Sequence, residues 1–346
     1  MAFKRAAADL VLTALDGQMQ YLLLRGLDEF AREGGDIDVL VKRDRAREAL
    51  TLVAEAAGRG GWAVAGLADI GYLTQICLVQ RWGPDGRHKA VKIDLWNGMS
   101  WGALGADPLT DALFDNLETQ GTADTVGLVT LLQKLLYAGY LRDGDRERVF
   151  SVCAPDRIAA FADAHGLPLS EAEIERGRID RSARWRLRAA SAGVNIVGLP
   201  AWIVKVVWRA LFFTAIPSTF AGEIFRVSGA DAPRRAALFE NFHTIMHQSG
   251  FPEPFIGPVA AGSVGPLSRG TMRLRGQAFR GKTVLVGDAS LDVRGAPARK
   301  PGLFAKWVNI QLSDVPLSSA KECDLEALLA SVSNRALERL LGTRKT

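Results

Sequence analysis

The spacing of apolar and polar positions changes several times along the chain, and each change marks an element. Residues 4–16 place apolar side chains at helical intervals, and a short apolar strand, Tyr21 to Leu24, follows. A second strand is expected from Ile37 to Val41, bounded by Gly34-Gly35. Arg45 to Ala57 combines helical periodicity with strong helix formers and is closed by Gly58, Gly60 and Gly61. Ile76 to Trp82 and His88 to Leu95 flank Gly83-Pro84-Asp85-Gly86, a turn sequence that predicts an antiparallel hairpin.

From Pro108 to Ala190 the pattern is helical. Val126 to Tyr140 is apolar at helical spacing, Pro155 to His165 is a second helix, and Leu169 to Arg188 reads as one charged helix. Pro200 and Pro217 bracket an apolar segment, and Pro252 to Gly270 is a Pro/Gly-rich loop. Strands are expected around Thr283 to Val286 and Trp307 to Leu312, and an amphipathic helix from Asp324 to Leu341. These elements predict an α/β (α+β) chain: a small mixed sheet in residues 1–107, a helical domain in 108–190, and a mixed C-terminal region, 191–346, with an apolar helix at 200–216.

Composition adds bounds. A 346-residue chain with 48% hydrophobic and 23% charged residues is an ordinary globular one, which excludes a disordered tail or a disulfide scaffold. Cys77, Cys153 and Cys323 are scattered, so neither a zinc ribbon nor a disulfide framework is expected, and a reducing, cytoplasmic setting is the simplest reading. Residues 1–15 read as an amphipathic helix, not a leader, because Asp9 interrupts the apolar run. The formal charge of +5 permits anionic ligands and argues against a large nucleic-acid substrate. Val194 to Ile216 is long enough to span a bilayer, but Lys205 and Arg209 near its middle would each cost roughly 2.5–3.5 kcal/mol there. A core or domain-contact helix is the first reading, and a helix lying on a membrane surface the second.

The chemistry concentrates in LLLRGLDEFAREGGDIDVLV, Leu22 to Val41. Asp36 and Asp38 are two apart along a strand and so share a face. Carboxylates held side by side repel each other, and Mg²⁺ relieves that, being a hard cation that prefers oxygen ligands. Gly34 and Gly35 leave room for a ligand's phosphates, and Gly26 ends a strand where backbone N–H groups can meet a phosphate oxygen. The same glycines also suit a plain turn. A third in-strand carboxylate, Asp94 of VKIDLW, follows after one helix and the hairpin. Aspartate is depleted from strands, so its repeated use there points to a metal.

In this order of motifs the chain resembles the nucleotidyltransferase superfamily with a polymerase-β-like fold: a glycine-bearing turn after a strand, a helix, an hDhDh strand and a later hDh strand. RGLDEFAREGGDIDVLV with KIDLW is similar to a bacterial nucleotidyltransferase family associated with surface-polysaccharide gene sets. The resemblance covers residues 20–100. It implies two-metal transfer of a nucleoside monophosphate from an NTP to a small or glycan-related acceptor, with Asp36, Asp38 and Asp94 as metal ligands and Asp94 assisting deprotonation of the acceptor. The superfamily's Gly-Ser pair is replaced by Arg25-Gly26-Leu27, which casts Arg25 as a cation in place of the missing serine contact. The alternative is a non-catalytic nucleotide-binding or scaffold protein in a membrane-associated assembly, docked through Trp202 to Phe213. A third reading is a nucleotidyltransferase acting on RNA or protein.

Other motifs carry less. Gly276 to Thr283, GQAFRGKT, has phosphate-loop spacing but precedes a strand instead of opening a helix. His243 and His247 sit four apart in a helix without the glutamate or third ligand of a zinc site. The basic run Arg176 to Arg188 reads as a solvated helix face. His88 reads as a hairpin residue.

Overall fold

The computed structural model describes residues 2–24, 36–69, 73–80, 88–99, 108–193, 200, 203, 223–228, 231–250, 255–256, 283–287, 311–317 and 324–341. It is a mixed α/β structure. Helix α1 (Ala2–Leu15) leads into strands β1 (Tyr21–Leu23) and β2 (Ile37–Val41), then helix α2 (Ala46–Arg59) and strands β3 (Trp62–Asp69), β4 (Leu73–Gln80) and β5 (Lys89–Asn97). Six helices follow: α3 (Pro108–Gln120), α4 (Thr122–Tyr137), α5 (Asp143–Val152), α6 (Pro155–Ala164), α7 (Glu171–Arg176) and α8 (Arg181–Ser191). Beyond them lie strand β6 (Glu223–Ser228), helix α9 (Ala232–Gln248), strands β7 (Phe255–Ile256), β8 (Thr283–Gly287) and β9 (Gln311–Pro316), and helix α10 (Asp324–Leu341).

The first five strands form one mixed sheet in the order β1-β2-β5-β4-β3. β2, IDVLV, is buried at every position, as a central strand must be when both faces are covered. It pairs antiparallel with β1 and parallel with β5, while β4 joins β5 to β3 in antiparallel fashion. The parallel pairing of β2 and β5 follows from their connection, since α2 and two intervening strands return the chain in the same direction.

The two faces of this sheet differ. Ile37, Val39, Ile76, Leu78, Ile93 and Leu95 point to one side and pack under α1 and α2, joined by Ala336 and Leu340 of α10. On the other side, Leu40, Leu73 and Trp96 enter the core of α3 to α8. At the far end of that same face, Ala63, Ala65, Cys77 and Val79 join Phe225, Val227, Leu238 and Phe242 of β6 and α9. Between these two apolar patches the period of two leaves Asp38, Gln75, Lys92 and Asp94.

Within the helical part, Gly127 allows α4 to approach α5, since a Cβ there would lie 2.6 Å from the Cβ of Cys153. The single charged helix expected over 169–188 is instead two. Ser170 caps α7 with a box completed by Glu173, and Gly177 ends it at φ 60°. Asp180 then accepts from the backbone N–H of Ala183 and starts α8.

The second sheet is parallel, in the order β7-β8-β6-β9. Its last strand occupies 311–316, a few residues beyond the predicted position of 307–312, and β3, β6 and β7 were not foreseen. α10 spans the expected 324–341. The Gly83 to Gly86 turn, the Pro252 to Gly270 stretch except residues 255 and 256, and all of the apolar segment 200–216 except residues 200 and 203 lie outside the described residues; at 255–256 the chain forms β7 beside β8 where a loop was expected. Among those described, no helix is long and apolar enough to cross a membrane.

Candidate metal centre

Asp38 lies in β2 directly opposite Asp94 of β5 in the parallel register, and Asp36 comes just before β2. Two residues of separation put Asp36 and Asp38 on one face, and the strand pairing adds Asp94 to it. One carboxylate oxygen from each of the three lies within 4.8 Å of the others. Asp38 and Asp94 are only 6% and 5% exposed. Among the described residues this is the one cluster of three or more potential His, Cys, Asp or Glu ligands. The sheet therefore gathers the three aspartates anticipated from the sequence.

Neighbouring side chains hold the carboxylates in place. The indole Nε1–H of Trp96 donates to Asp38 Oδ1 at 3.0 Å, and Gln75 Nε2 donates to Asp94 Oδ1 at 3.1 Å. The Lys92 ammonium bridges Asp36 Oδ2 at 3.0 Å and Asp94 Oδ2 at 3.1 Å. Burial is the largest influence on Asp94 and pushes its carboxyl up to about 7, against the pull of Lys92 and with the help of Asp36 and Asp38. Burial opposes the Lys92 charge too, but Asp94 and Asp36 outweigh it and hold that ammonium above the ordinary lysine range.

A buried group of three acids and one base is costly unless something balances it. Three carboxylates converging at this spacing form an all-oxygen donor set, the kind that suits a hard divalent cation. Asp36, Asp38 and Asp94 could thus hold a metal ion, with Trp96 and Gln75 fixing the orientation of two of the ligands.

Sequence reasoning named the acids but missed Lys92, Trp96 and Gln75. Lys92 and Trp96 stand two residues either side of Asp94 and were visible through the strand period. Gln75 reaches Asp94 only through the β4–β5 register, which sequence spacing does not give. Arg25, Gly26, Gly34 and Gly35 lie outside the described residues.

The remaining motifs resolve in several ways. Thr283 opens β8, so the GQAFRGKT stretch leads into a strand. The strand-to-helix context of a phosphate loop exists instead between β6 and α9, where the sequence is GADAPRRA, Gly229 to Ala236. There Arg234 and Ala236 stand where such a loop needs glycine and a hydroxyl. The Arg234 guanidinium is committed to both carboxylate oxygens of Asp324, each at 2.5 Å.

His243 and His247 share a face of α9 with ring centroids 6.2 Å apart, and they belong to no larger cluster among the described residues. The basic run is only partly solvated. Arg188 is buried, donates to the Leu136 carbonyl at 2.7 Å and lies over Trp185, while Arg184 donates to the Ala138 carbonyl at 2.9 Å. These two arginines cap the C-terminal end of α4. His88, at the foot of β5, meets Glu326 of α10. Compared with protein-family models, with curated proteins and with solved structures, the chain matches none.

Proposed function

We propose that this chain is a Mg²⁺-dependent nucleotidyltransferase that moves a nucleoside monophosphate from an NTP to the hydroxyl of a small or glycan-related acceptor. The observation that carries the reading is the buried meeting of Asp36, Asp38 and Asp94 across two parallel strands. It is the arrangement that the resemblance of RGLDEFAREGGDIDVLV and KIDLW to nucleotidyltransferases leads one to expect. Mg²⁺ held by these three residues would draw charge from the triphosphate and so favour departure of pyrophosphate.

The chain's own groups supply the rest. The acceptor oxygen attacks the α-phosphorus, a new P–O bond forms, and the bond to the bridging oxygen of the β-phosphate breaks to release pyrophosphate. The acceptor's proton passes to a carboxylate oxygen of Asp94, the third acid of the cluster. Gln75 fixes one oxygen of Asp94, and Trp96 fixes one of Asp38.

Pyrophosphate release in the presence of Mg²⁺, each NTP and a panel of sugar-phosphate and alcohol acceptors tests this. Wild-type turnover with a loss of about a thousandfold or more in Asp38→Asn is the expected result. Turnover untouched by that change would sink the assignment. Metal-dependent NTP binding without any turnover would favour the non-catalytic, nucleotide-binding alternative.

A further inference from the structure

Lys92 occupies a position that a metal ion would contest. Its Nζ lies 3.0 Å from Asp36 Oδ2 and 3.1 Å from Asp94 Oδ2, and its side chain is 14% exposed. A divalent cation drawing on Asp36 and Asp94 would sit on the same two carboxylates whose Oδ2 atoms the ammonium now holds. Two cations sharing those oxygens would repel each other strongly in so buried a place. The ion therefore has to displace the lysine.

Lysine suits such an exchange, being a compact charge on a flexible four-carbon stem that can turn away without moving the strand. Where it goes follows from charge. With the ammonium displaced, three carboxylates and one divalent ion keep one unit of excess negative charge, so the lysine is held close to the site. When that ion arrives with a triphosphate, the displaced ammonium finds new oxygens on the phosphate chain, with which it can form charge-assisted hydrogen bonds.

We propose that Lys92 is an exchangeable counter-ion that couples metal loading to triphosphate binding: it holds Asp36 and Asp94 together before the metal arrives and transfers to the phosphates when metal and triphosphate enter together. This rests on the nucleotidyltransferase reading. It makes Lys92 a positioning residue with two partners in turn, and it makes the bare ion a poor ligand. Lys92 competes with the metal alone but adds a contact to the metal–triphosphate complex, so triphosphate raises the affinity for metal by the same factor as metal raises that for triphosphate.

Calorimetric titration with Mn²⁺ alone, and separately with preformed Mn²⁺–tripolyphosphate, tests the proposal on wild type, Lys92→Met, Lys92→Gln and Asp38→Asn. Lys92→Gln retains a hydrogen-bond donor and guards against misfolding of the methionine variant. Both Lys92 variants are expected to bind Mn²⁺ alone about tenfold tighter than wild type, and the tripolyphosphate complex about tenfold more weakly. Asp38→Asn is expected to lose both. Lys92 variants that bind Mn²⁺ alone no tighter than wild type, while Asp38→Asn loses it, would overturn the exchange and leave the metal centre standing. Failure of wild type to bind the Mn²⁺–tripolyphosphate complex, or binding of that complex unchanged in Asp38→Asn, would overturn the metal centre itself and the exchange with it.

Discussion

The two faces of the five-stranded sheet are made by alternate residues of the same strands, yet they do opposite things. Ile37, Val39, Ile93 and Leu95 face α1 and α2 and are completely buried hydrocarbon. One residue along, Asp38, Lys92, Asp94 and Trp96 face the other way, and their band is flanked by two separate apolar cores. The first face supplies stability. The second spends some of it, because desolvated carboxylates crowd together there with only partial compensation. A strand that alternates apolar and acidic residues can thus anchor a sheet and carry chemistry at once.

Changes on each face should separate these roles. The largest effect on folding is expected from Ile93→Ala, which empties a fully buried site and should cost about 2–5 kcal/mol in denaturant unfolding. The folded fraction should still bind Mn²⁺, since Ile93 points away from the carboxylates. Loss of Mn²⁺ binding in a folded Ile93→Ala protein would break the division between faces.

Asp94→Asn should act in the opposite direction. Because Asp94 is raised to about 7 in the folded chain from an ordinary value near 3.9, the native state holds a proton that the unfolded state has released between those pH values. Its contribution to stability is therefore full below about pH 4 and lost as pH rises through about 7. In chelator, wild type should lose a few kcal/mol relative to Asp94→Asn between pH 4 and pH 8, measured by denaturant melts. Parallel pH profiles for the two proteins would contradict the burial of a strained carboxylate.

A smaller effect is expected from Trp96→Phe, which keeps the packing against Tyr137 and the helical core but removes the donor to Asp38. Mn²⁺ affinity should fall by about tenfold, with little change in stability. An unchanged affinity would mean that Asp38 needs no help to keep its orientation.

Legibility of the sequence followed the same division. β2 and the β4–β5 hairpin could be read because their apolar residues are large, β-branched and bounded by turn residues. That also located Asp36, Asp38 and Asp94, for an aspartate stands out in an apolar strand. β3 escaped because WAVAGLAD is rich in alanine and glycine, which carry little strand preference and suit a crowded face next to Phe225 and Phe242.

The break between α7 and α8 had local signals in Ser170, Glu173, Gly177 and Asp180, but the charged periodicity on both sides masked them. The parallel pairing of β2 with β5 had no local signal at all. Only that pairing converts three scattered aspartates into a cluster and brings Lys92 across to Asp36.

The most direct measurement is calorimetric titration of the purified protein with Mn²⁺, beside an Asp36→Asn/Asp38→Asn double variant whose fold is checked by circular dichroism. Saturable binding by wild type, lost in the folded double variant, is the expected result. Equal binding by both proteins would place the ion elsewhere and contradict a metal centre built on β2 and β5.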